Sequence, residues 1–481
     1  MIHLTPKLDP NGREALYMQL YRYIRDEIMA GAIASSARMP SIRQLAAHLD
    51  VSRTPIALAY EQLLAEGYIL SKPRSGYYAS EVEGGFGAAT ERMDAMPKGA
   101  SQRLSEETAA GVKEQAIRFD FEYGGVDLQH FPYAKWRKWM NRCLSPENGD
   151  MLTYGDYQGD PGLRKEIAGY LRHTRGVRCS PEQIVIGAGT YHSLELLLQL
   201  LRGKVDCIAA EEAVNEGVKA LFEQHRYAVR TLPLEHDGIR VEEAELGPSG
   251  AVYVTPSHQF PYGMTLSIAK RLQLLHWAHE REAYVIENDY DGEFRYGGRP
   301  IPSLQSLDQH DRVIYVGTFS KVLTPSFRIS YLVLPHKLLE AFRDRLHSYD
   351  QLASPIFQHA LRMFMQAGDF ERHMRRMKNV YQRKHALLLE AIERSFGSRA
   401  EVIGAGSGLH ILLRVRNAMT EAELVASART VGIRVYPASI YSLSPDHAAS
   451  QTVLLGFGGI REEEIAEAIG LLADTWGLHH A

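Results

Sequence analysis

A single lysine lies in a loop between two apolar runs in the middle of the chain, and its neighbours are able to bind an anion. Residues 314–334 contain two β-branched, strand-like runs, and the loop between them holds Thr318, Ser320, Lys321 and Arg328. An amine in an apolar pocket has a lowered pKa and forms a Schiff base with an aldehyde. Hydroxyls and an arginine would hold a phosphate beside it. The loop therefore predicts a pyridoxal phosphate (PLP) site on Lys321, the alternative being a strand-end lysine that extends to water.

A second run offers a partner for the pyridine ring of PLP. Residues 283–290 read as a buried strand that ends in Asn288, Asp289 and Tyr290. PLP withdraws electrons best when a carboxylate pairs with its ring nitrogen. Side chains alternate along a strand, so Asn288 would share a face with Tyr290, and a neutral amide would weaken the electron sink. We predict Asp289 as the carboxylate partner, with Asn288 as the alternative and Tyr290 near the ring oxygen.

These runs resemble the fold type I aminotransferase family, and more closely the MocR subfamily of GntR-type bacterial transcriptional regulators. The motifs that carry the resemblance are Thr255-Pro-Ser-His-Gln-Phe-Pro261, Glu287-Asn-Asp-Tyr-Asp-Gly-Glu-Phe294 and Gly317-Thr-Phe-Ser-Lys321. The resemblance implies an α/β fold: a PLP-dependent aminotransferase-like domain with a mainly parallel sheet, helices on both faces, and a small C-terminal α+β subdomain. The alternation of strand-like and helix-like segments along the chain agrees with this fold class.

The resemblance also implies a phosphate site and a dimer. Residues 184–194 read as a strand, a glycine turn and a helix start, where backbone N–H groups bind phosphate. We therefore predict that Gly189, Thr190 and Tyr191 bind the PLP phosphate together with Thr318, Ser320 and Arg328. In the family, the tyrosine matched by Tyr154 reaches the phosphate of the partner subunit's cofactor. Tyr154 thus implies a homodimer with shared sites, the alternative being an ordinary loop tyrosine.

Two further positions depart from the aminotransferase pattern. The run at residues 211–215 lacks the proline, glycine and aromatic residue that relatives have near the cofactor. Leu454 stands where many relatives have an arginine that binds the substrate carboxylate. Arg414, Arg416 and Arg434 are candidates to replace that arginine. A standard clamp for an amino-acid carboxylate is therefore in doubt.

Residues 1–80 predict a winged helix-turn-helix. Apolar residues recur at helical spacing in the first segment, at Leu16, Leu20, Ile24 and Ile28. A short second helix follows Pro40, with Ser41 as a possible cap. A third helix over residues 53–66 has Ser52 as its possible cap, and a hairpin with a basic tip completes the unit.

This unit resembles the GntR-type DNA-binding domain. The matching motifs are Pro40-Ser-Ile-Arg43, Val51-Ser-Arg-Thr54 and Ala59-Tyr-Glu-Gln-Leu-Leu-Ala-Glu-Gly-Tyr68. A small helical interaction module with solvated charges is the alternative. The resemblance implies contacts to double-stranded operator DNA from Arg43, Ser52, Arg53, Thr54, Lys72, Arg74 and Gly76.

Composition limits the remaining possibilities. The 481 residues carry a formal net charge of −4, so any DNA-binding face must be local. Three scattered cysteines argue against a disulfide framework and a zinc site and suit a reducing cytosol. We expect no metal site, no membrane span and a cytoplasmic location. Residues 81–116 read as a linker, and residues 117–481 as the PLP-binding effector domain.

Together these features predict a PLP-dependent, DNA-binding transcriptional regulator. Its aminotransferase-like domain would sense an amino compound or PLP itself, and the linker would pass the change to the DNA-binding domains. The alternative is a functional PLP-dependent aminotransferase that carries a DNA-binding appendage. Turnover needs a protonated ring and a bound substrate carboxylate, and Asn288 and Leu454 put both in question. The effector, the operator, the sign of regulation and any residual transaminase half-reaction stay open at this point.

Overall fold

The computed structural model describes residues 4–6, 8–9, 14–72, 75–80, 116–242, 246–248, 250–296, 302–346, 350–443 and 451–478. The chain divides into two compact units, Met1–Val112 and Lys113–Ala481. The predicted linker over residues 81–116 lies outside the described residues, apart from Ala116. In the described segments, no helix is long and apolar enough to cross a bilayer. The three cysteines form no disulfide.

The N-terminal unit is three helices followed by a β-hairpin. Its elements are α1 Leu16–Met29, α2 Ile42–Leu49, α3 Arg53–Ala65, β1 Ile69–Lys72 and β2 Gly76–Ala79. The predicted apolar face of α1 is buried at Leu20, Ile24 and Ile28, in one cluster with α2 and α3. Ser41 caps α2, because its hydroxyl accepts from Gln44 N–H while the Gln44 side chain accepts from Ser41 N–H.

The larger unit contains the sheet that positions the candidate site. Its strands are β3 Phe119–Asp120, β4 Ile184–Gly187, β5 Cys207–Glu211, β6 Ala228–Leu232, β7 Leu234–Glu235, β8 Gly238–Ile239, β9 Ala251–Val254, β10 Tyr284–Asp289, β11 Val313–Thr318, β12 Ser330–Val333, β13 Ala400–Ile403, β14 His410–Val415, β15 Ile433–Arg434, β16 Tyr436–Pro437 and β17 Thr452–Gly456. Seven of them form one sheet in the order β4-β12-β11-β10-β9-β5-β6. Strand β12 runs antiparallel to β11 and β4, whereas the other neighbours pair in parallel. The predicted mainly parallel sheet is confirmed.

Helices cover both faces of this sheet. The helices of the larger unit are α4 Tyr133–Cys143, α5 Pro161–Arg175, α6 Thr190–Leu201, α7 Glu216–Gln224, α8 Ile268–Glu280, α9 His336–Leu346, α10 Pro355–Gln366, α11 Asp369–Phe396, α12 Glu421–Thr430 and α13 Ile465–Thr475. Along β10, Ile286 packs in one apolar cluster with Leu194 of α6, and Val285 packs in another with Leu274 of α8. Because both faces of the central strands are buried, those strands are largely continuous apolar runs rather than alternating ones.

The C-terminal part is a smaller α+β layer, as predicted. Strands β13, β14, β17 and β16 form an antiparallel sheet in that order. Helix α12 packs against β16 and β17, and α13 packs along α11. Strand β14 begins at His410. A 3-10 turn at Glu462–Glu464 leads into α13, which begins at Ile465.

Candidate functional site

The carboxyl ends of β10 and β11 open onto a cavity. Parallel strands end at the same edge of a sheet, which is where α/β proteins bind ligands. The cavity collects most of the predicted cofactor residues: Thr190, Tyr191, Asn288, Tyr290, Thr318, Ser320, Lys321 and Arg328.

Lys321 is buried in the wall of this cavity. Its ammonium donates to the backbone oxygen of Tyr123 and lies 3.8 Å from the centre of the Tyr123 ring. Burial lowers the pKa of Lys321 to about 8, although Asp291 and Glu122 act to raise it. Near neutral pH a useful fraction of this side chain is therefore an uncharged nucleophile, as Schiff-base chemistry requires.

An anion cradle lies at the other end of the cavity. Gly189 precedes α6 with φ +96°, and a Cβ there would come within 2.0 Å of Arg328 Nη2. Only glycine lets the guanidinium lie against this turn. No acid pairs with Arg328 among the residues described, and the hydroxyls of Thr318 and Ser320 lie 2.9 Å apart nearby. A free guanidinium beside a helix N-terminus is suited to bind phosphate.

The side chain that β10 directs into the cavity is Asn288. Its Nδ2 donates to the hydroxyl of Tyr253 at 2.7 Å, and its buried Oδ1 has no partner within the described part of the chain. Tyr290 lines the same cavity, as alternation along the strand predicts. Asn288 therefore presents an unsatisfied amide oxygen where a ring nitrogen could be placed.

Asp289 faces the opposite side of the sheet, which corrects our choice of it as the ring partner. Its Oδ2 accepts from Arg175 Nε and from the Tyr315 hydroxyl, both at 2.6 Å, and all three side chains are buried. A second nitrogen of Arg175 donates to Ser257 at 2.6 Å. The carboxylate is thus fully engaged in a buried ion pair away from the cavity.

A chain of buried polar groups lies behind Tyr290. The Tyr290 hydroxyl and both Asp291 carboxylate oxygens lie within 3.1 Å of His258 Nδ1. Burial and Asp291 raise the pKa of Tyr290 well above its usual value, so the phenol stays protonated.

We predicted no metal site, yet one potential ligand atom each from His258, Asp291 and His410 lie within 4.8 Å of one another.

Several cavity residues were not predicted as site residues. Tyr123, Tyr253 and Phe260 supply aromatic walls, and Glu211 lies at the end of β5. Burial raises the pKa of Glu211 to about 7, while hydrogen bonds from Thr255 oppose that shift. Phe260 lies within the family-like motif at residues 255–261. Glu211 is the first residue of the run at residues 211–215 that departs from the aminotransferase pattern. No local signal in the sequence connects Tyr123 with the cavity.

The residues considered for a carboxylate clamp lie elsewhere. Arg414 and Arg416 pair with Glu401, and Arg434 pairs with Asp120 at 2.9 Å. Leu454 is fully buried in an apolar cluster with Phe260 and Tyr290. None of these arginines lines the cavity.

Tyr154 is not part of the cavity of its own chain. Its side chain is 87% exposed, in the loop before α5.

The predicted DNA-contacting residues lie on the surface of the N-terminal unit. Arg53 and Thr54 open α3, and Ser52 occupies its N-cap position without the predicted side-chain hydrogen bond. Lys72 lies on the hairpin, with its ammonium 4.6 Å from the centre of the Tyr78 ring. The exposed members of the predicted set are Arg43, Ser52, Arg53, Thr54, Lys72 and Gly76. Arg74 lies outside the described residues.

Known proteins resemble both units. Residues 16–78 match the bacterial regulatory proteins of the gntR family, and residues 124–469 match aminotransferase class I and II. An archaeal alanine:glyoxylate aminotransferase is 25% identical, with a TM-score of 0.69 over 78% of this chain and 94% of that one. The α-aminoadipate aminotransferase LysN of Thermus thermophilus was solved with N-(5′-phosphopyridoxyl)-L-leucine. It gives a TM-score of 0.68 at 22% identity, over 80% of this chain and 98% of that one.

Full-length relatives join the same two units. The HTH-type transcriptional regulator YdeL of Bacillus subtilis is 40% identical over 98% of this chain and 99% of its own length. The probable rhizopine catabolism regulatory protein MocR of Rhizobium meliloti is 31% identical over 98% of this chain and 95% of its own length. Both relatives cover the DNA-binding and the aminotransferase-like regions together. The chain therefore belongs to the MocR-type GntR transcriptional regulators, in which a helix-turn-helix domain precedes an aminotransferase class I and II domain.

Proposed function

We propose that PLP occupies the cavity, bound covalently through Lys321, and that a ligand at this site controls operator binding by the N-terminal unit. The observation that carries this proposal is the single cavity that joins a buried amine of lowered pKa to a free guanidinium and a helix N-terminus. An aldehyde with a phosphate tail matches both ends of that cavity.

Each residue has a separate task in this proposal. Lys321 supplies the nucleophilic amine, and Arg328 binds the phosphate with the N–H groups of Thr190 and Tyr191. Asn288 would hold the ring nitrogen through its amide, and Tyr290 would donate to the ring oxygen, since both side chains line the cavity. When bound, PLP supplies an aldehyde that condenses with primary amines and a ring that withdraws electrons.

The cavity supports sensing better than turnover. The neutral Asn288 does not hold a proton on the ring nitrogen as a carboxylate would, and the buried Leu454 binds no carboxylate. Each lost orienting contact lowers a reaction rate by on the order of a hundredfold. A sensor needs only a difference in ligand affinity between two conformations, so it tolerates both losses. The proposed role is a cytoplasmic regulator that senses an amino compound or PLP.

We further propose that the regulator is a homodimer in which Tyr154 reaches the partner's PLP phosphate. Elements that pack together, α4, α10 and the 3-10 turn Pro146–Leu152, carry or adjoin exposed apolar side chains. An apolar surface of this kind is typical of a protein–protein interface. Its members are Tyr133, Leu144, Leu152, Tyr154 and Leu352, each more than half exposed.

The proposal is tested on purified full-length protein loaded with PLP. Borohydride reduction followed by peptide mapping should place the cofactor on Lys321, and Lys321→Ala should lose the near-visible absorbance. DNA fragments selected from genomic DNA by the wild-type protein should then bind PLP-loaded and PLP-free protein with different affinities. Lys321→Arg, which keeps the charge, is the control for folding. A cofactor that labels another lysine, or DNA affinity that ignores PLP and every ligand, contradicts the proposal.

A further inference from the structure

The described lining of the cavity has two positively charged side chains, and the proposed cofactor engages both of them. Among its described lining residues, only Lys321 and Arg328 are cationic. Lys321 holds the cofactor aldehyde and Arg328 holds the phosphate in the function proposed above, on which this inference rests. A carboxylate on an effector would be desolvated in the cavity, which is unfavourable unless a further cation pairs with it.

The arginines considered as replacements for the missing carboxylate clamp do not supply that cation. Arg414 and Arg416 bind Glu401 at 3.2 and 3.6 Å, and Arg434 binds Asp120. Each of these guanidinium groups is at least 40% exposed. Leu454 is fully buried behind the cavity residues Phe260 and Tyr290, in one apolar cluster with them.

The rest of the described wall is neutral or acidic and includes several aromatic rings. Tyr123, Tyr253 and Phe260 present rings to the cavity. Glu211 is buried in the wall, and the carboxylates of Asp291 and Glu122 are close enough to Lys321 to act on its pKa. Aromatic faces and nearby carboxylates attract an ammonium group and do not favour a second carboxylate.

We infer that the effector of this regulator is a primary amine that carries no carboxylate or other anionic group. Its apolar body lies against the aromatic wall and its nitrogen exchanges with Lys321. In that exchange a bond forms from the effector nitrogen to the cofactor's former aldehyde carbon. The bond from that carbon to Lys321 Nζ breaks, and the two protons of the neutral effector amine pass to Nζ.

Two probes of matched chain length test this inference on PLP-loaded wild-type protein. They are n-butylamine and 4-aminobutanoate, which differ by a terminal carboxylate. Both are titrated while the near-visible spectrum and the affinity for the selected DNA fragment are followed. We expect n-butylamine to give half-maximal change at a concentration at least about tenfold lower, the effect of one unpaired buried charge. Equal or tighter binding of 4-aminobutanoate overturns the inference. So does a loaded protein that responds to neither probe.

A variant that adds a cation to the wall gives an independent measurement. Asn215 lines the cavity, accepts from Gly217 N–H at the start of α7 and is half-buried. Asn215→Arg should tighten 4-aminobutanoate binding about tenfold or more relative to Asn215→Gln, which loses the same cap but adds no charge. If Asn215→Arg and Asn215→Gln bind 4-aminobutanoate equally well, the lack of a cation is not what excludes the carboxylate. Failure to load PLP at all contradicts the proposed function instead, so the two failures are distinguishable.

Discussion

Asn288 and Asp289 are consecutive residues of β10, and their side chains lie on opposite faces of the sheet. Asn288 Nδ2 donates to Tyr253 in the cavity, whereas Asp289 accepts from Arg175 and Tyr315 on the other side. A shift of one residue in the register of β10 would exchange the amide for the carboxylate at the cavity.

Replacing Asn288 by aspartate should move the site towards catalysis. A carboxylate in the place of Asn288 would hold a proton on the ring nitrogen of PLP and strengthen electron withdrawal. In a single turnover with n-butylamine, we expect butanal to appear about a hundredfold faster than in the wild type. Quenched samples analysed by chromatography give the rate. Asn288→Gln is the neutral control, and equal rates for the two variants would refute the role of charge.

Asp289→Asn should destabilise the large unit instead. The substitution leaves the buried Arg175 guanidinium without its carboxylate, and breaking a buried pair in this way costs about 3–5 kcal/mol. Urea denaturation of the large unit measures the free energy of unfolding. Glu401→Gln is the matched control, because it removes an exposed pair with Arg414 and should cost about 1 kcal/mol or less. Similar losses for both variants would mean that the buried pair is not a main support of the fold.

The loading of PLP should depend on pH through Lys321. Burial lowers the pKa of Lys321 from 10.5 to about 8, so the neutral amine at pH 7 is about 300-fold more abundant than in an exposed lysine. The rate of PLP incorporation into apo-protein should rise about tenfold per pH unit below 8 and level off above it. Stopped-flow absorbance gives this profile, with Nα-acetyl-lysine amide as the exposed comparison. A midpoint near 10.5 would show that burial does not activate this lysine.

The stability of the apo-protein should change over the same interval. The unfolded lysine still binds a proton between pH 8 and 10.5, whereas the folded lysine has lost it. The unfolded state then binds more protons, so the contribution of Lys321 to stability rises with pH through this window and is absent below it. Comparing the wild type with Lys321→Met isolates that contribution in thermal unfolding curves.

Two substitutions separate base recognition from phosphate binding in the N-terminal unit. Arg53 is exposed at the start of α3, so Arg53→Ala should cost about 1–3 kcal/mol on a specific fragment and little on random DNA. Lys72 lies on the hairpin, so Lys72→Ala should weaken binding to all sequences and lower the salt slope by about 1. Fluorescence anisotropy at several salt concentrations measures both effects. Unchanged binding by an Arg43/Arg53 double variant would refute the DNA-binding assignment of this face.

Mixed dimers test whether Tyr154 acts across the subunit boundary. Tyr154→Ala should weaken PLP binding about tenfold or more, the effect of losing a hydrogen bond to a charged group. When Tyr154→Ala and Lys321→Ala protomers are mixed, heterodimers contain one site with both residues intact. High-affinity PLP binding should therefore return at a stoichiometry below one per dimer. If mixing restores nothing, Tyr154 serves its own chain or has no role at the phosphate.

Local patterns were sufficient for much of the fold and for the two ends of the site. The helix spacing of α1, the Ser41 cap and the strand–helix alternation each depend on residues close in sequence. Lys321 and Gly189 could also be predicted from nearby residues, because each lies in a short loop that directly follows a buried, strand-like run.

Contacts between distant segments could not be predicted in this way. The Lys321–Tyr123 contact joins residues 198 positions apart, and the Arg175–Asp289 pair joins residues 114 apart. Our prediction of Asp289 as the ring partner was wrong because it rested on residue type: a carboxylate pairs best with the ring nitrogen of PLP. Which face carries it depends on a continuous strand and on Arg175, which no pattern near β10 reveals.

The antiparallel strand β12 also determines when the sensor can form during synthesis. The hairpin of the N-terminal unit is complete at Ala79, but β4 and β11 gain their shared neighbour β12 only after Val333 has been made. Ribosomes add about 5–20 residues per second, and domains fold as units from the N-terminus. The nascent chain therefore carries a folded DNA-binding unit for about 10–50 s before its sheet can close. During that interval the growing protein has an operator-binding surface and no means of responding to a ligand.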